Sequence, residues 1–367
     1  MMFSQVTVQS EAASRLRKSA LEGRIPHAQL FLGPEGSGNL ALALAYAQYV
    51  HCQNPTAEDS CGVCSSCKKH QSMMHPDMHF SFPFPSNQAD ISSELYPQWR
   101  EACKKMPFMN YELWMKELDA ENKQGNIPIK ECRAIIKSLS LKPFEGGHKI
   151  LLLWLPEFLG IEGNVLLKLI EEPPQDTLFL LVANNTEKIL STILSRTQLV
   201  RIPPIQPEAI ADALVAELQL GEDDARRIGL ICGGNYLKAI ELAQQTENAF
   251  LDDFRNWMGY CYQKNLPRAL EWADEFAGNG REQLKGFFLY SITLLRAVMV
   301  FPYLKGNTGL SPDEEAFAEK FSKVLDSHAK GELLYNWLNQ ATYEIERNGN
   351  PRLILTDLSF KLSRMLK

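Results

Sequence analysis

Two groups of residues in this 367-residue chain have the types and spacing to do chemistry. The first is Cys52, Cys61, Cys64 and Cys67, spaced C-x8-C-x2-C-x2-C. Cys-x-x-Cys steps bring two thiolates to one tetrahedral ion, and four thiolates close a structural zinc site with no position left for water. Iron would also suit four sulfurs, with zinc favoured for a structural role. The plain alternative is a set of free thiols in a Gly/Ser loop. His51, His70, His75 and His79 lie nearby and could replace a cysteine, but four well-spaced thiols make that unnecessary, so they are read as loop residues. The other cysteines (Cys103, Cys132, Cys232 and Cys261) are scattered. Such clustering fits a reduced compartment with a metal site better than a disulfide framework.

The second group is residues 31–40, Phe-Leu-Gly-Pro-Glu-Gly-Ser-Gly-Asn-Leu, which has the outline of a phosphate-binding loop. In the pattern G-x-x-x-x-G-K-[ST], backbone N–H groups wrap phosphates, the Lys reaches the β- and γ-phosphates, and the hydroxyl holds Mg2+. Gly33 and Gly38 keep this spacing, and Gly36 adds a flexible position. Asn39 stands where the Lys belongs and Leu40 where the Ser or Thr belongs. An amide carries no charge to offset a triphosphate, and Leu cannot ligate Mg2+. The expectation is a scaffold without its nucleotide chemistry, to which ATP does not bind. A bare strand-to-helix glycine turn is the alternative. An apolar run before the glycines and an Ala/Leu-rich helix former after them favour the phosphate-loop context.

These groups need elements to position them. Residues 4–24 read as a helix, followed by the strand at 28–32, the loop, its helix and the cysteine module at about 52–67. Phe and Pro dominate 80–85, and residues 86–126 form a polar insertion bearing Tyr96, Trp99, Tyr111 and Trp114. It reads either as helices with a partly apolar face or as a partner-binding surface. Regular pattern resumes with an amphipathic helix at 129–139 and a continuous apolar strand at 149–154, as expected of a strand covered on both faces. A nucleotide hydrolase would follow that strand with acids that hold Mg2+. Here Trp154-Leu-Pro-Glu157 follows, with only Glu157 acidic. A helix from Asn164 is stopped by Pro173 and Pro174. A second buried strand at 177–183, a turn presenting Arg196, and a short strand at 199–202 complete the α/β region. Beyond 205 the pattern is helical throughout.

Whole-chain properties bound the reading. The length allows two or three domains. A net charge of −6 argues against wholesale nucleic-acid binding by this chain alone, leaving room for a local basic patch. No secretory signal is visible at the N-terminus. The apolar stretch 286–304 carries Arg296 near its middle and Pro302 near its end, and is read as a buried helix. A cytoplasmic protein with no membrane partner is expected.

Four collinear stretches within residues 5–205 together resemble the delta-prime family of bacterial DNA polymerase III clamp-loader subunits, in the AAA+ superfamily. They are Pro26-His-Ala, the four-cysteine module, Asn164-x-Leu-Leu-Lys-x-x-Glu-Glu-Pro-Pro174 and Ile193-Leu-Ser-Arg196. The resemblance implies a RecA-like α/β AAA+ domain (1–204, parallel sheet with helices on both faces), then an all-α lid (205–250) and an all-α collar (251–367). It implies a non-catalytic subunit, because motor subunits of the family carry Lys and Thr or Ser where Asn39 and Leu40 stand, and acids where Trp154 and Leu155 stand. It also implies that Arg196, with Ser195, acts in trans at a neighbour's ATP. The family's Ser-Arg-Cys reads Ser195-Arg196-Thr197 here, with the arginine kept. Lys238 lies near the family's second-sensor position and is assigned no role. Implied partners are gamma/tau-type ATPase subunits and a delta subunit, with the sliding clamp and primed DNA reached through the complex. The rival readings are an ATP-binding motor subunit with an atypical loop and a zinc-bearing nucleic-acid-binding protein outside replication. A scaffold with Arg196 inert is a third.

Overall fold

The computed structural model describes residues 1–244, 247–303, 310–325 and 327–366. Leu304, the last residue of the apolar stretch singled out above, lies outside the described residues. The chain divides into two compact units, Met1–Ala213 with Gly233–Lys238, and Leu214–Cys232 with Ala239–Lys367.

The first unit opens with 3-10 turns at Phe3–Gln5 and Thr7–Gln9, and only then α1 (Ser10–Leu21). The expected helix at 4–24 is therefore shorter. The Asp59 carboxylate accepts the Phe3 and Ser4 backbone N–H groups at 3.1 and 2.8 Å, which holds the leading segment off a helical path. β1 (Ala28–Leu32) leads through the glycine loop into α2 (Asn39–His51), an Ala/Leu helix buried around nearly its whole circumference. Next come α3 (Ser65–Gln71), β2 (Met78–Ser81), β3 (Phe84–Pro85), α4 (Tyr96–Lys105), α5 (Tyr111–Glu117) and β4 (Gly125–Asn126). α6 (Ile129–Leu139), β5 (Lys149–Trp154), α7 (Leu167–Glu171), β6 (Thr177–Ala183), α8 (Ser191–Leu194) and β7 (Gln198–Arg201) follow.

Five strands form one parallel sheet in the order β2-β5-β6-β1-β7, and β3 and β4 pair separately and antiparallel. Successive β5 side chains go to opposite faces, as the pleat requires. Ile150, Leu152 and Trp154 pack with α1, α2 and the insertion, whereas Leu151 and Leu153 pack with Cys132, Ile135 and Leu139 of α6. Trp154 pairs with Val182 and Leu32 with Ala183, so β1, β5 and β6 end level and their following loops emerge together. That edge of a parallel sheet is where α/β proteins place their sites.

Two further expectations about this unit are corrected here. The surface reading of the insertion fails for its indoles: Trp99 and Trp114 are fully buried. Trp99 stacks on Phe82 at 4.2 Å and meets Trp114 edge-on at 5.2 Å, so the insertion contributes core. The helix expected from Asn164 is instead a 3-10 segment, Gly160–Leu166, passing into the short α7.

Among the described residues, all regular structure beyond Arg201 is helical. The elements are α9 (Pro207–Leu218), α10 (Glu222–Ile231), α11 (Tyr236–Gln244), α12 (Glu247–Tyr262), α13 (Leu266–Ala277), α14 (Arg281–Val300), α15 (Pro312–Leu325), α16 (His328–Glu346) and α17 (Pro351–Met365). The second unit has its own core, in which Leu284, Phe287, Phe288, Leu295 and Val298 of α14 are buried. The segment Gln283–Tyr303 is long and apolar enough to cross a membrane by length and composition. Half of its most apolar window is buried within the protein, and Arg296 on it is exposed.

Candidate functional site

The loop after β1 has the glycine geometry its sequence predicts, with Gly36 at φ +72° and Gly38 at φ +83°. A side chain at either position would be strained, and space forbids it as well. A Cβ on Gly38 would lie 2.7 Å from the Phe108 ring, and one on Gly36 would overlap the Asn235 amide oxygen. Phe108 also packs on Tyr236, ring centroids 4.9 Å apart. The loop is tied down elsewhere too. Gln9 Nε2 donates to Ser37 O at 2.9 Å, Asn110 Nδ2 to Glu35 Oε1 at 2.8 Å, and the Tyr236 N–H to Gly36 O at 3.0 Å.

Asn39 turns inward. Its Nδ2 lies 3.0 Å from Ala183 O, 3.2 Å from Asn184 Oδ1 and 3.3 Å from Gly33 O, while its Oδ1 accepts the Leu40 N–H at 2.9 Å. Leu40 is buried in the core of α2. At the end of β5, Trp154 and Leu155 are buried, and Leu155 takes the left-handed conformation, φ +56°. Glu157 Oε1 accepts the N–H groups of Asn184 and Asn185 at 2.7 and 3.1 Å. Burial raises its pKa against the pull of those bonds.

The four cysteines converge. Their sulfurs all lie within 4.8 Å of one another, with Cys61 and Cys67 4.0 Å apart. Tetrahedral coordination at about 2.3 Å per bond sets sulfurs about 3.8 Å apart, so the arrangement fits one ion. Backbone N–H groups of Cys61, Cys64 and Cys67 point at the sulfurs of Cys52, Cys61 and Cys64 at 3.2 to 3.4 Å. The N–H groups of Val63 and Cys64 pull the Cys61 thiol down to about 6, whereas burial pushes Cys52 and Cys67 up. Four adjacent thiolates need a cation to coexist, and a divalent ion supplies that charge.

Three of the four histidines are not loop residues, which corrects the sequence reading, whereas His75 lies in a loop as expected but is buried. His51 ends α2, His70 lies on α3 and His79 lies on β2. The rings of His51, His70 and His75 pack together, His51 stacked on His75 at 4.2 Å. One nitrogen from each comes within 4.8 Å of the others, yet the nitrogens are engaged. His51 Nε2 lies 2.6 Å from His148 O, so it carries the proton, and its Nδ1 accepts from His70 Nε2 at 2.7 Å. His75 Nδ1 accepts the Asp77 N–H at 3.2 Å, and its Nε2 faces Glu145 Oε2 at 3.3 Å. Burial pulls His51 down to about 3 and His75 to about 4, which favours their neutral forms.

Arg196 lies two residues past α8, away from the glycine loop's own contacts. Its Nη1 donates to Thr192 O at 2.9 Å and its Nη2 to Glu171 Oε1 at 3.0 Å. Ser195 Oγ donates to Thr192 O at 3.1 Å.

The family model described as "DNA polymerase III, delta subunit" matches residues 8–206, more than half of the chain. The chain belongs to this family. Subunit delta' of DNA polymerase III from Bacillus subtilis (strain 168) is 27% identical over 245 residues, 66% of this chain and 61% of its own length. The Escherichia coli (strain K12) subunit delta' is 25% identical over 274 residues, 70% of each chain. Bacillus subtilis subunit tau is 24% identical over 379 residues, 96% of this chain and 59% of its own length. The chain thus aligns with only about three fifths of the two Bacillus proteins. It is a delta-prime-like member of the family, with a parallel-sheet α/β domain followed by helical structure.

Within this delta-prime-like chain the residues of the two motifs fall where their spacing places them. Sequence reasoning missed what surrounds them: Gln9, Phe108, Asn110 and Asn235 on the loop, the histidine trio, and Glu171 beside Arg196. The repeated Glu-Glu before Pro-Pro was a visible signal for the last. Contacts of Phe108 and Asn235, far apart in sequence, left no local one.

Proposed function

We propose that this chain is the ATPase-silent, delta-prime-like subunit of a bacterial clamp loader. It assembles in the cytoplasm with gamma/tau-type ATPase subunits and a delta subunit, and helps load the sliding clamp on primed DNA. The three-part reading, α/β domain 1–204, lid 205–250 and collar 251–367, belongs to this proposal. The observation that carries it is Asn39: the side chain at the lysine position is bonded inward to Ala183 O and Gly33 O and offers nothing to a phosphate. Phe108 and Asn235 lie against the loop glycines, where nucleotide would approach.

Cys52, Cys61, Cys64 and Cys67 hold a structural zinc ion, which cross-links the module and leaves no coordination position for chemistry. Catalysis by this chain is confined to Arg196, presented with Ser195 to the ATP of the adjacent subunit. A guanidinium supplied in trans stabilises charge on the transferred phosphoryl group, an effect worth about 10³–10⁵ in rate in GTPase examples.

The test is DNA-dependent ATP hydrolysis by the reconstituted clamp loader containing Arg196→Ala, with assembly verified and the isolated chain as blank. A large fall in rate with an inactive isolated chain is expected. An unchanged rate removes the role of Arg196, and hydrolysis by the isolated chain overturns the silent reading.

A further inference from the structure

Arg196 reaches its position through two short helices. α7 ends at Glu171, because Pro173 and Pro174 cannot continue it. A helix C-terminus carries unpaired carbonyls and negative partial charge, and Glu171 adds a full negative charge at that end. Lys168 already places one cation in that last turn, and Arg196 adds a second contact from α8, with Nη2 3.0 Å from Glu171 Oε1.

The rest of the guanidinium is oriented as well. Nη1 faces Thr192 O at 2.9 Å and Ser195 Oγ at 3.4 Å, and Nε is buried without a partner. Arginine has five N–H donors in a rigid fork. With Nη1 directed to the α8 end and one Nη2 hydrogen to Glu171, the second Nη2 hydrogen remains to meet an incoming acceptor. An arginine on a flexible stem would otherwise sample many rotamers before finding a phosphate oxygen. Glu171 is largely exposed, so its bond to the arginine contributes little to folding, and its consequence is directional.

Resting on the reading of Arg196 as a trans-acting arginine, we propose that Glu171 is its positioning residue, fixing the guanidinium in one orientation between the ends of α7 and α8 before the neighbouring subunit's phosphates arrive. Glu171 does not touch substrate and acts only through Arg196.

The experiment uses the reconstituted clamp loader with primed DNA and ATP, comparing Glu171→Ala, Glu171→Gln, Arg196→Ala and the double Ala variant. Glu171→Ala is expected to lower kcat about two- to fivefold, the range an exposed ion pair supports, with KM for ATP unchanged. Glu171→Gln, which keeps an acceptor, is expected to recover most of the loss. The double variant is expected to match Arg196→Ala alone. A wild-type or raised rate in Glu171→Ala, beside a collapsed rate in Arg196→Ala, overturns the positioning role. So does a loss in Glu171→Ala that tracks impaired assembly and is not rescued by Gln. A wild-type rate in Arg196→Ala refutes instead the trans-arginine reading, and is distinguished by that variant alone.

Discussion

Asn39 separates a loop that merely lacks a lysine from a loop rebuilt around an amide. Its side chain is 7% exposed, and its Nδ2 faces three oxygens, Ala183 O, Asn184 Oδ1 and Gly33 O. Asn39→Ala removes that donor. Ala183 O keeps a 3.3 Å bond from the Gly33 N–H, so the loss falls chiefly on Gly33 O and Asn184. An unsatisfied buried polar group costs about 1–3 kcal/mol. For a unit of this size, about 2–4 °C per kcal/mol predicts a Tm lower by about 2–12 °C. Asn39→Lys with Leu40→Thr is the decisive variant. A lysine there places an ammonium in a nearly closed site, and a threonine hydroxyl at position 40 enters an apolar core that supplies it no designed partner. The expected result is a Tm below that of the wild type and no heat of Mg-ATP binding in calorimetry. A double variant with wild-type Tm that binds Mg-ATP would refute the reasoning, because it would show the cradle intact and only its lysine missing.

The remaining predictions concern the supports of the loop and the cysteine module. Metal analysis of the purified chain is expected to find one zinc per chain, falling to none in Cys61→Ser/Cys64→Ser; full zinc in that variant would remove these ligands from the site. Trp99→Ala should cost about 3–5 kcal/mol in urea denaturation, as for other fully buried aromatics, and a cost below 1 kcal/mol would return the insertion to the surface. His75, pulled down to about 4 chiefly by burial, binds a proton more readily in the unfolded chain. Its contribution is therefore full above about pH 6.5 and is lost as pH falls towards 4. The stability advantage of wild type over His75→Gln should shrink across that window, and a difference constant with pH would mean that His75 is not held neutral.

What could be read from the sequence followed local periodicity. The bounds of α6, β5 and β6 match the pattern, because an amphipathic helix and two continuously apolar strands each declare their own burial. β2 was missed: it is an edge strand of four residues, paired only with β5, and the Phe/Pro run after it masks any alternation. The cysteine cluster was legible because three of its four ligands recur at three-residue steps, Cys61, Cys64 and Cys67. The histidine trio was not, since α2, α3 and the turn at His75 meet only once the sheet has formed. Arg196 was legible by motif, and its carboxylate partner required the turn that brings α7 beside α8.

The insertion joins the two places where a motor subunit would keep its chemistry. Trp154 ends β5, where an acid would hold Mg2+, and its ring lies 5.1 Å from Trp99 of the insertion. Phe108 and Asn110 of the same insertion reach the glycine loop. An acid restored at position 154 would sit 2% exposed among indoles, where burial raises a carboxyl pKa and favours the neutral form, which is poor at holding Mg2+. A lysine at position 39 would face the carbonyls of Gly33 and Ala183. On the proposed silent reading, the residues at positions 39 and 154 that offer nothing to a nucleotide are also the ones that pack inward. Placing a lysine or an acid at either position works against packing, and deleting residues 86–126 removes Trp99 and Trp114 from the core before it uncovers any nucleotide site.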